Sequence, residues 1–262
     1  MTPPTTMTTP TQSADLIRLL KRLKPGKVAA TLPERLALAR AQNLDYASFL
    51  EILLSDEITR RDQQGLELRL KAAGFEERCE LADFDWSAQV RLDRRLIQEV
   101  FTLEFLSQRQ NCLFAGPVGV GKTSLAQALG HCAIRAGHST LFVRADDLFR
   151  SLLQARADHT FERDFRRFLA PELLIVDDFG LHRLTAQQSG DLYEPIIGRH
   201  RRASFVFTSN RTIEEGLGLF EDSILGNSAL DRTANASYQI AMEGASYCER
   251  LAPKLKSHEV VS

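Results

Sequence analysis

The sequence predicts an α/β fold: a mostly parallel five-stranded sheet with helices on both faces, preceded by a small all-α domain. Three observations carry this expectation. A glycine-rich loop, Gly116-Pro117-Val118-Gly119-Val120-Gly121-Lys122-Thr123, stands between an apolar run and a helical stretch that begins at Ser124. From there to residue 242 short apolar runs alternate with helical patterns. Before residue 74 the apolar positions recur only with helical spacing.

Residues 1–12 are almost all Thr, Pro and Met, too poor in apolar groups to offset ordering entropy, so a disordered tail is expected. Ser13 reads as the cap of a helix through Leu16, Ile17, Leu20 and Leu23, stopped by Pro25-Gly26. Thr31-Leu32-Pro33-Glu34 fits a capping box that opens a second helix. Asp45 caps a third, long helix reaching Ala73, with Gly74 as its stop. Its apolar stripe takes in Phe49, Leu50, Leu53, Leu54 and Ile58. Residues 13–74 thus read as a helical domain. Late in that helix Arg60, Arg61, Arg69 and Lys71 interleave with Asp62 and Glu67. This pattern fits a solvated face with intrahelical pairs, or a nucleic-acid contact.

Residues 75–95 read as a linker. Phe84 and Trp86 pin it to the next domain or line an adenine pocket. A helix from Leu92 to Gln108 leads into a first strand at 112–115. The second strand is Thr140–Arg144, followed by a helix with Asp146 as its cap. The third, Leu173-Leu174-Ile175-Val176, ends in Asp177-Asp178. Thr185-Ala186-Gln187-Gln188 is a second capping box, opening a helix towards Arg202. The fourth strand, Phe205–Thr208, ends at Ser209-Asn210, and the fifth lies near Tyr238–Met242.

Composition narrows the function classes. With 44% apolar residues the chain can bury a sizeable core. Its formal net charge of −1 argues against a uniformly basic nucleic-acid binder while leaving local basic patches open. Cys79, Cys112, Cys132 and Cys248 form no C-x-x-C pair, so neither a zinc site nor a disulfide framework is expected. The opening residues lack the basic and apolar regions of a signal peptide, and no apolar run approaches a bilayer span. A cytoplasmic setting is the expectation.

The loop carries the chemistry. G-x-x-x-x-G-K-T lets backbone N–H groups turn around phosphate oxygens, and the following helix presents unpaired N–H groups. Gly116, Pro117, Val118, Gly119, Val120, Gly121, Lys122, Thr123 and Ser124 are therefore the candidate ATP-binding residues. Lys122 would reach the β- and γ-phosphates, and the Thr123 hydroxyl would ligate Mg²⁺. Ligands in such sheets bind beyond the strands' carboxyl ends. Asp177 would hold Mg²⁺, and Asp178 would orient or deprotonate the attacking water, unless it is a turn residue before Phe179-Gly180. Asn210 can donate to the γ-phosphate or close an Asx turn. Two arginine-rich stretches remain. One holds Arg156, His159, Arg163, Arg166 and Arg167; the other is Arg199-His200-Arg201-Arg202, which suits a helix C-terminus or DNA phosphates.

These motifs together resemble the IstB/DnaC-like AAA+ ATPases, and IstB-type transposition helpers more closely than DnaC-type helicase loaders. The resemblance spans nearly all of residues 13–250. It rests on Asn43-Leu44-Asp45-Tyr46 with Phe49-Leu50, Arg69-Leu70-Lys71-Ala72-Ala73, Leu81-Ala82-Asp83-Phe84-Asp85 and the phosphate loop. It continues through Leu174–Gly180, Thr208-Ser209-Asn210-Arg211, Leu230-Asp231-Arg232 and Gly244-Ala245-Ser246-Tyr247. The resemblance implies an AAA+ ATPase domain over residues 96–250 with a C-terminal tail, 251–262. It also implies that Asn210 is a sensor and that Arg232 is an arginine finger completing a neighbouring subunit's site. By its residues alone Arg232 reads first as the partner of a local acid such as Asp231. Such proteins self-associate with ATP on DNA, duplex in this reading, and recruit or stimulate a transposase. The alternative is a helicase loader that uses ATP as a switch on single-stranded DNA. Three departures stand out. Ser246-Tyr247-Cys248-Glu249-Arg250 lacks an arginine at Cys248, Asp178 replaces a glutamate, and residues 216–228 lack a tryptophan.

Overall fold

The computed structural model describes residues 28–86, 90–234 and 237–244. The expected N-terminal tail, the helix after Ser13, the Ser246–Arg250 segment and the C-terminal tail lie outside these residues. The chain divides into two compact units, Met1–Leu68 and Arg69–Ser262. The boundary falls inside the second described helix.

In the first unit, α1 (Val28–Ala41) and α2 (Tyr46–Ala73) are joined by Arg35, whose guanidinium donates to both oxygens of Asp56 at 2.6 and 3.2 Å. Asp45 caps α2 as its sequence predicts, accepting from the amides of Ala47 (2.8 Å) and Ser48 (3.0 Å). Thr31 does not cap α1. Val28–Ala30 are already helical, and its hydroxyl turns back to the carbonyl of Val28 instead. The apolar stripe of α2 splits. Phe49 and Leu53 are half-buried, whereas Tyr46, Leu50, Leu54 and Ile58 face outward at four-residue intervals. Arg60 and Arg61 both donate to Glu57, the intrahelical pairing that the interleaved charges predict. The Arg60 hydrogen bonds, with those of Arg61, pull the Glu57 carboxyl down to about 2.

The second unit is built on one sheet. Its strands are β2 (Asn111–Ala115), β3 (Thr140–Arg144), β4 (Leu173–Phe179), β5 (Ser204–Ser209) and β6 (Ser237–Ala241). They run parallel in the order β3-β4-β5-β2-β6. A short antiparallel pair, β1 (Val90–Arg91) with β7 (Glu243–Gly244), stands apart. Strand residues alternate between two cores, as burial on both faces requires. In β4, Leu173 and Ile175 join Phe105, Phe114, Leu125 and Leu129. Leu174 and Val176 join Leu148, Leu152, Phe168 and Leu192 on the other face.

The remaining helices are α3 (Arg94–Phe101), α4 (Glu104–Ser107), α5 (Lys122–Arg135), α6 (Ala145–Ala157), α7 (Phe161–Leu169), α8 (Ala186–Arg199), α9 (Ile213–Gly216) and α10 (Ser223–Ala234). Several differ from expectation. The single helix from Leu92 to Gln108 is two, because Leu103 takes a left-handed conformation (φ 65°) between them. Arg144 rather than Asp146 stands at the N-cap of α6, and its side chain makes no capping bond. Helix α7 is additional. Helix α8 has the expected Thr185–Gln188 capping box but ends at Arg199, three residues early.

Residues 75–86 are not a free connector. The Phe75 ring lies 4.2 Å from that of His131, Glu77 N donates to Gln127 Oε1 (3.1 Å), and Arg135 pairs with Glu80. His131, Gln127 and Arg135 all stand on α5, so this strap is fixed along the helix that follows the phosphate loop.

Candidate nucleotide site

The phosphate loop joins β2 to α5. Two of its glycines are required by space. A Cβ on Gly116 would come within 2.1 Å of the Met242 carbonyl oxygen. At Gly121 (φ 92°) it would meet the Phe84 ring at 2.9 Å. Gly121 is the N-cap of α5 and brings no side chain to its first turn, which leaves those amides for an anion. Lys122 is buried and its ammonium donates to the carbonyls of Gly116 (2.8 Å) and Pro117 (2.7 Å). Burial lowers its pKa, while Asp178 and Asp177 act against that shift.

At the carboxyl end of β4 the two acids part company. Asp177 is 1% exposed. Thr208 donates to its Oδ1 at 2.5 Å, and Thr123 lies 3.0 and 3.1 Å from its two oxygens. Burial raises its pKa, and the neighbouring Asp178 charge adds to the rise. Asp178 stands on a register shift between Val176 and Phe179, with φ 54°. Its amide donates to Thr208 Oγ1 at 2.9 Å. The strand therefore runs through both acids to Phe179 instead of ending before them.

Asp178 and Asn210 line a cleft of about 480 Å³ together with loop residues Val118–Ser124 and the strap residues Glu80, Asp83, Phe84 and Asp85. Phe84 packs against the core and also walls the cleft. Trp86 packs edge-on to Phe84, and the guanidinium of Arg94 lies over its ring. Asp177 sits behind the cleft wall and meets it through Thr123. A threonine hydroxyl beside a carboxylate is a pair of hard oxygen donors, and such donors fit Mg²⁺.

Arg232 lies elsewhere. It donates to the Ser228 carbonyl at 2.9 Å and lines a different cleft. Arg199 cannot serve as a DNA contact. It is 1% exposed, and its guanidinium donates to the carbonyls of Phe168, Leu169, Pro171, Glu172 and Ser204. Burial pushes its pKa down to about 10, so it stays charged at neutral pH. Arg156 is also engaged, paired with Asp191 at 2.5 Å and stacked on Phe161. Arg163 pairs with Asp164. Arg166, Arg167, Arg201 and Arg202 remain exposed.

Residues 18–257 match the family of IstB-like ATP binding proteins. The chain belongs to that family. It is 37% identical to an insertion-sequence ATP-binding protein of Mycobacterium tuberculosis, over 89% of this chain and 94% of the relative. It is 33% identical to the ATP-binding protein of insertion sequence IS21 of Pseudomonas aeruginosa, over 91% and 89%. The crystal structure of DnaI shares the fold, with TM-score 0.55 and 22% identity over 63% of this chain and 91% of that one.

Within this IstB-like site the residue that sequence reasoning gave no role is Thr208. Its hydroxyl accepts from Asp178 N and donates to Asp177, so one side chain sets both acids. A hydroxyl directly after the apolar run Phe205-Val206-Phe207 was the available signal. Arg144 was passed over too. It stands opposite Asp177 in the β3–β4 register and pairs with Glu76 at 2.6 Å. Among the described residues no helix is long and apolar enough to cross a membrane.

Proposed function

We propose that this protein binds and hydrolyses ATP, assembles on duplex DNA, and recruits or stimulates a partner transposase. One observation carries the ATPase reading: Thr123, Asp177, Asp178 and Asn210 stand around a phosphate loop whose helix start has no side-chain cap. Thr123 and Asp177 would hold Mg²⁺, which when bound supplies positive charge to the β- and γ-phosphate oxygens. Lys122 leaves the Gly116 and Pro117 carbonyls for the triphosphate. Asp178, held at the cleft wall by Thr208, accepts a proton from the attacking water, and Asn210 orients that water against the γ-phosphate. Arg232, outside its own cleft, completes the site of a neighbouring copy.

The insertion-sequence setting of the relatives supports the helper role. The exposed apolar row of α2 supports a helical unit that meets other proteins. The test is direct. Full-length protein is mixed with long duplex DNA, with and without Mg-ATP, and followed by light scattering and phosphate release. Larger particles that need ATP, with free phosphate as product, are expected. Particles formed only on single strands would move the reading to a helicase loader. Co-purification with any transposase encoded beside this chain tests the partner.

A further inference from the structure

Asp178 and Asn210 reach the cleft from the ends of neighbouring strands. The last rung between β4 and β5 pairs Phe179 with Ser209. Asp178 precedes that rung on the bulge, and Asn210 follows it. Past the rung the backbone leaves the ladder, with Gly180 at φ 86° two residues after Asp178 at φ 54°. Gly180 is buried, so its carbonyl needs a partner that no strand supplies.

Arg211 supplies that partner. Its Nε donates to the Gly180 carbonyl at 2.7 Å, the short length of a charge-assisted bond. Its amide donates to Ser209 Oγ at 3.1 Å, closing a turn around Asn210. Ser209 is buried, and its carbonyl accepts at 3.1 Å from the amide of Gly116, the first glycine of the phosphate loop. The two turns fit closely. A Cβ on Gly180 would stand 2.9 Å from Leu219 Cδ1 and 3.3 Å from Ser209 Oγ. The half-buried Arg211 lies with Phe179, Phe207 and Leu219 along an apolar cavity of about 60 Å³. One residue thus holds both turns, that of Asn210 through its amide and that of Asp178 through its side chain.

We propose that Arg211 is a positioning residue for hydrolysis. It fastens the Asp178 turn to the Asn210 turn and so fixes the spacing of acid and amide around the attacking water. This rests on the reading that Asp178 and Asn210 act on that water. Thr208 sets Asp178 from within the sheet, whereas Arg211 sets it from beyond the last rung, where the ladder has ended. The Gly116 amide is held by the Ser209 backbone, which a change in the Arg211 side chain leaves in place. Nucleotide binding is therefore spared while turnover is not.

The test uses full-length Arg211→Met, which keeps an apolar stem against Phe179 and Leu219 and removes the donor, with Arg211→Lys as the variant that keeps one. Phosphate release is measured at saturating Mg-ATP with long duplex DNA, and nucleotide affinity by titration. Arg211→Met should lower kcat by roughly 10-fold to 10²-fold, the cost of displacing a reacting group by up to about 1 Å, with affinity within about twofold of the parent. Arg211→Lys should recover most of that loss. In an Asp178→Asn chain, Arg211→Met should cost little more, because both residues act at one step. Parental kcat in Arg211→Met, an equal loss of affinity, or a full further loss on top of Asp178→Asn would each overturn the assignment. Mixing Arg211→Met with Asp178→Asn subunits asks whose cleft the arginine serves. No recovery is expected, and recovery would give Arg211 to the neighbour's site and overturn the proposal. A parent that binds ATP and releases no phosphate removes the hydrolysis reading, and this proposal with it.

Discussion

The two ends of the parallel sheet carry the same pairing of a buried and an exposed charge, but with opposite sign. At the carboxyl end, Asp177 is buried beside two threonine hydroxyls while Asp178, its neighbour in sequence, is turned to the cleft. At the amino end, Arg199 is buried under carbonyls while Arg201, two residues on, is turned to solvent. Each end pairs one immobilised charge with one presented charge. Charge runs such as Asp177-Asp178 or Arg199–Arg202 should therefore not be read as uniform patches, because burial separates their members by role.

The comparison can be broken most sharply at Asp178. Asp178→Asn keeps a side chain that tolerates the left-handed backbone but cannot take a proton. Turnover should fall by roughly 10²–10⁴-fold, the usual contribution of a positioned general base, with nucleotide affinity retained. Single-turnover phosphate release checks it. Unchanged turnover would show that Asp178 is a turn residue alone. Lys122→Ala comes next. It removes the charge-assisted bonds to the triphosphate and should weaken nucleotide binding by about 100-fold or more, read by titration with a fluorescent ATP analogue.

Thr208→Val tests whether one hydroxyl sets both acids. The substitution is close in volume but leaves Asp177 short of a donor and Asp178 N without its acceptor. A loss of about 1–3 kcal/mol is expected for groups stranded in this way. For a chain of this size each kcal/mol lowers Tm by about 2–4 °C. A structural role alone would move only Tm. A role in aiming Asp178 would also lower kcat in the variant still folded at assay temperature.

What the sequence made legible follows from local physics. The strands read cleanly because a doubly covered parallel strand is a short continuous apolar run, as in Leu173–Val176. The caps at Asp45 and Thr185 read because their bonds reach only two or three residues. The phosphate loop read because its chemistry is contiguous. The features that stayed hidden depend on distant partners. The bulge at Asp178 is set by Thr208, thirty positions along the chain. Arg199 is buried because α8 ends against the carbonyls of residues 168–172, which nothing in Arg-His-Arg-Arg discloses. The break at Leu103 interrupts an apolar helical pattern with no glycine or proline to announce it. Thr31 shows the converse: a capping-box pattern matched, but the helix had already begun.

The smallest effect is the one that separates Asp177 from its neighbour. Burial holds its carboxyl above the ordinary value of 3.8, so the folded chain binds that proton more tightly than the unfolded chain. The stability this contributes is present below the unfolded value and is lost as pH rises through the higher folded one. Above that folded value the protein carries a buried charge that opposes folding. Asp177→Asn removes the charge and keeps an oxygen that can accept from both threonines. Its Tm should exceed the parent's at pH values well above 3.8, and the gap should close as pH falls towards that value. Mg²⁺ should no longer strengthen ATP binding to the variant. A variant that melts below the parent at pH 7 would mean that Thr123 and Thr208 more than compensate the burial. Asp177 would then be a structural anchor of the strand end as well as the proposed Mg²⁺ ligand.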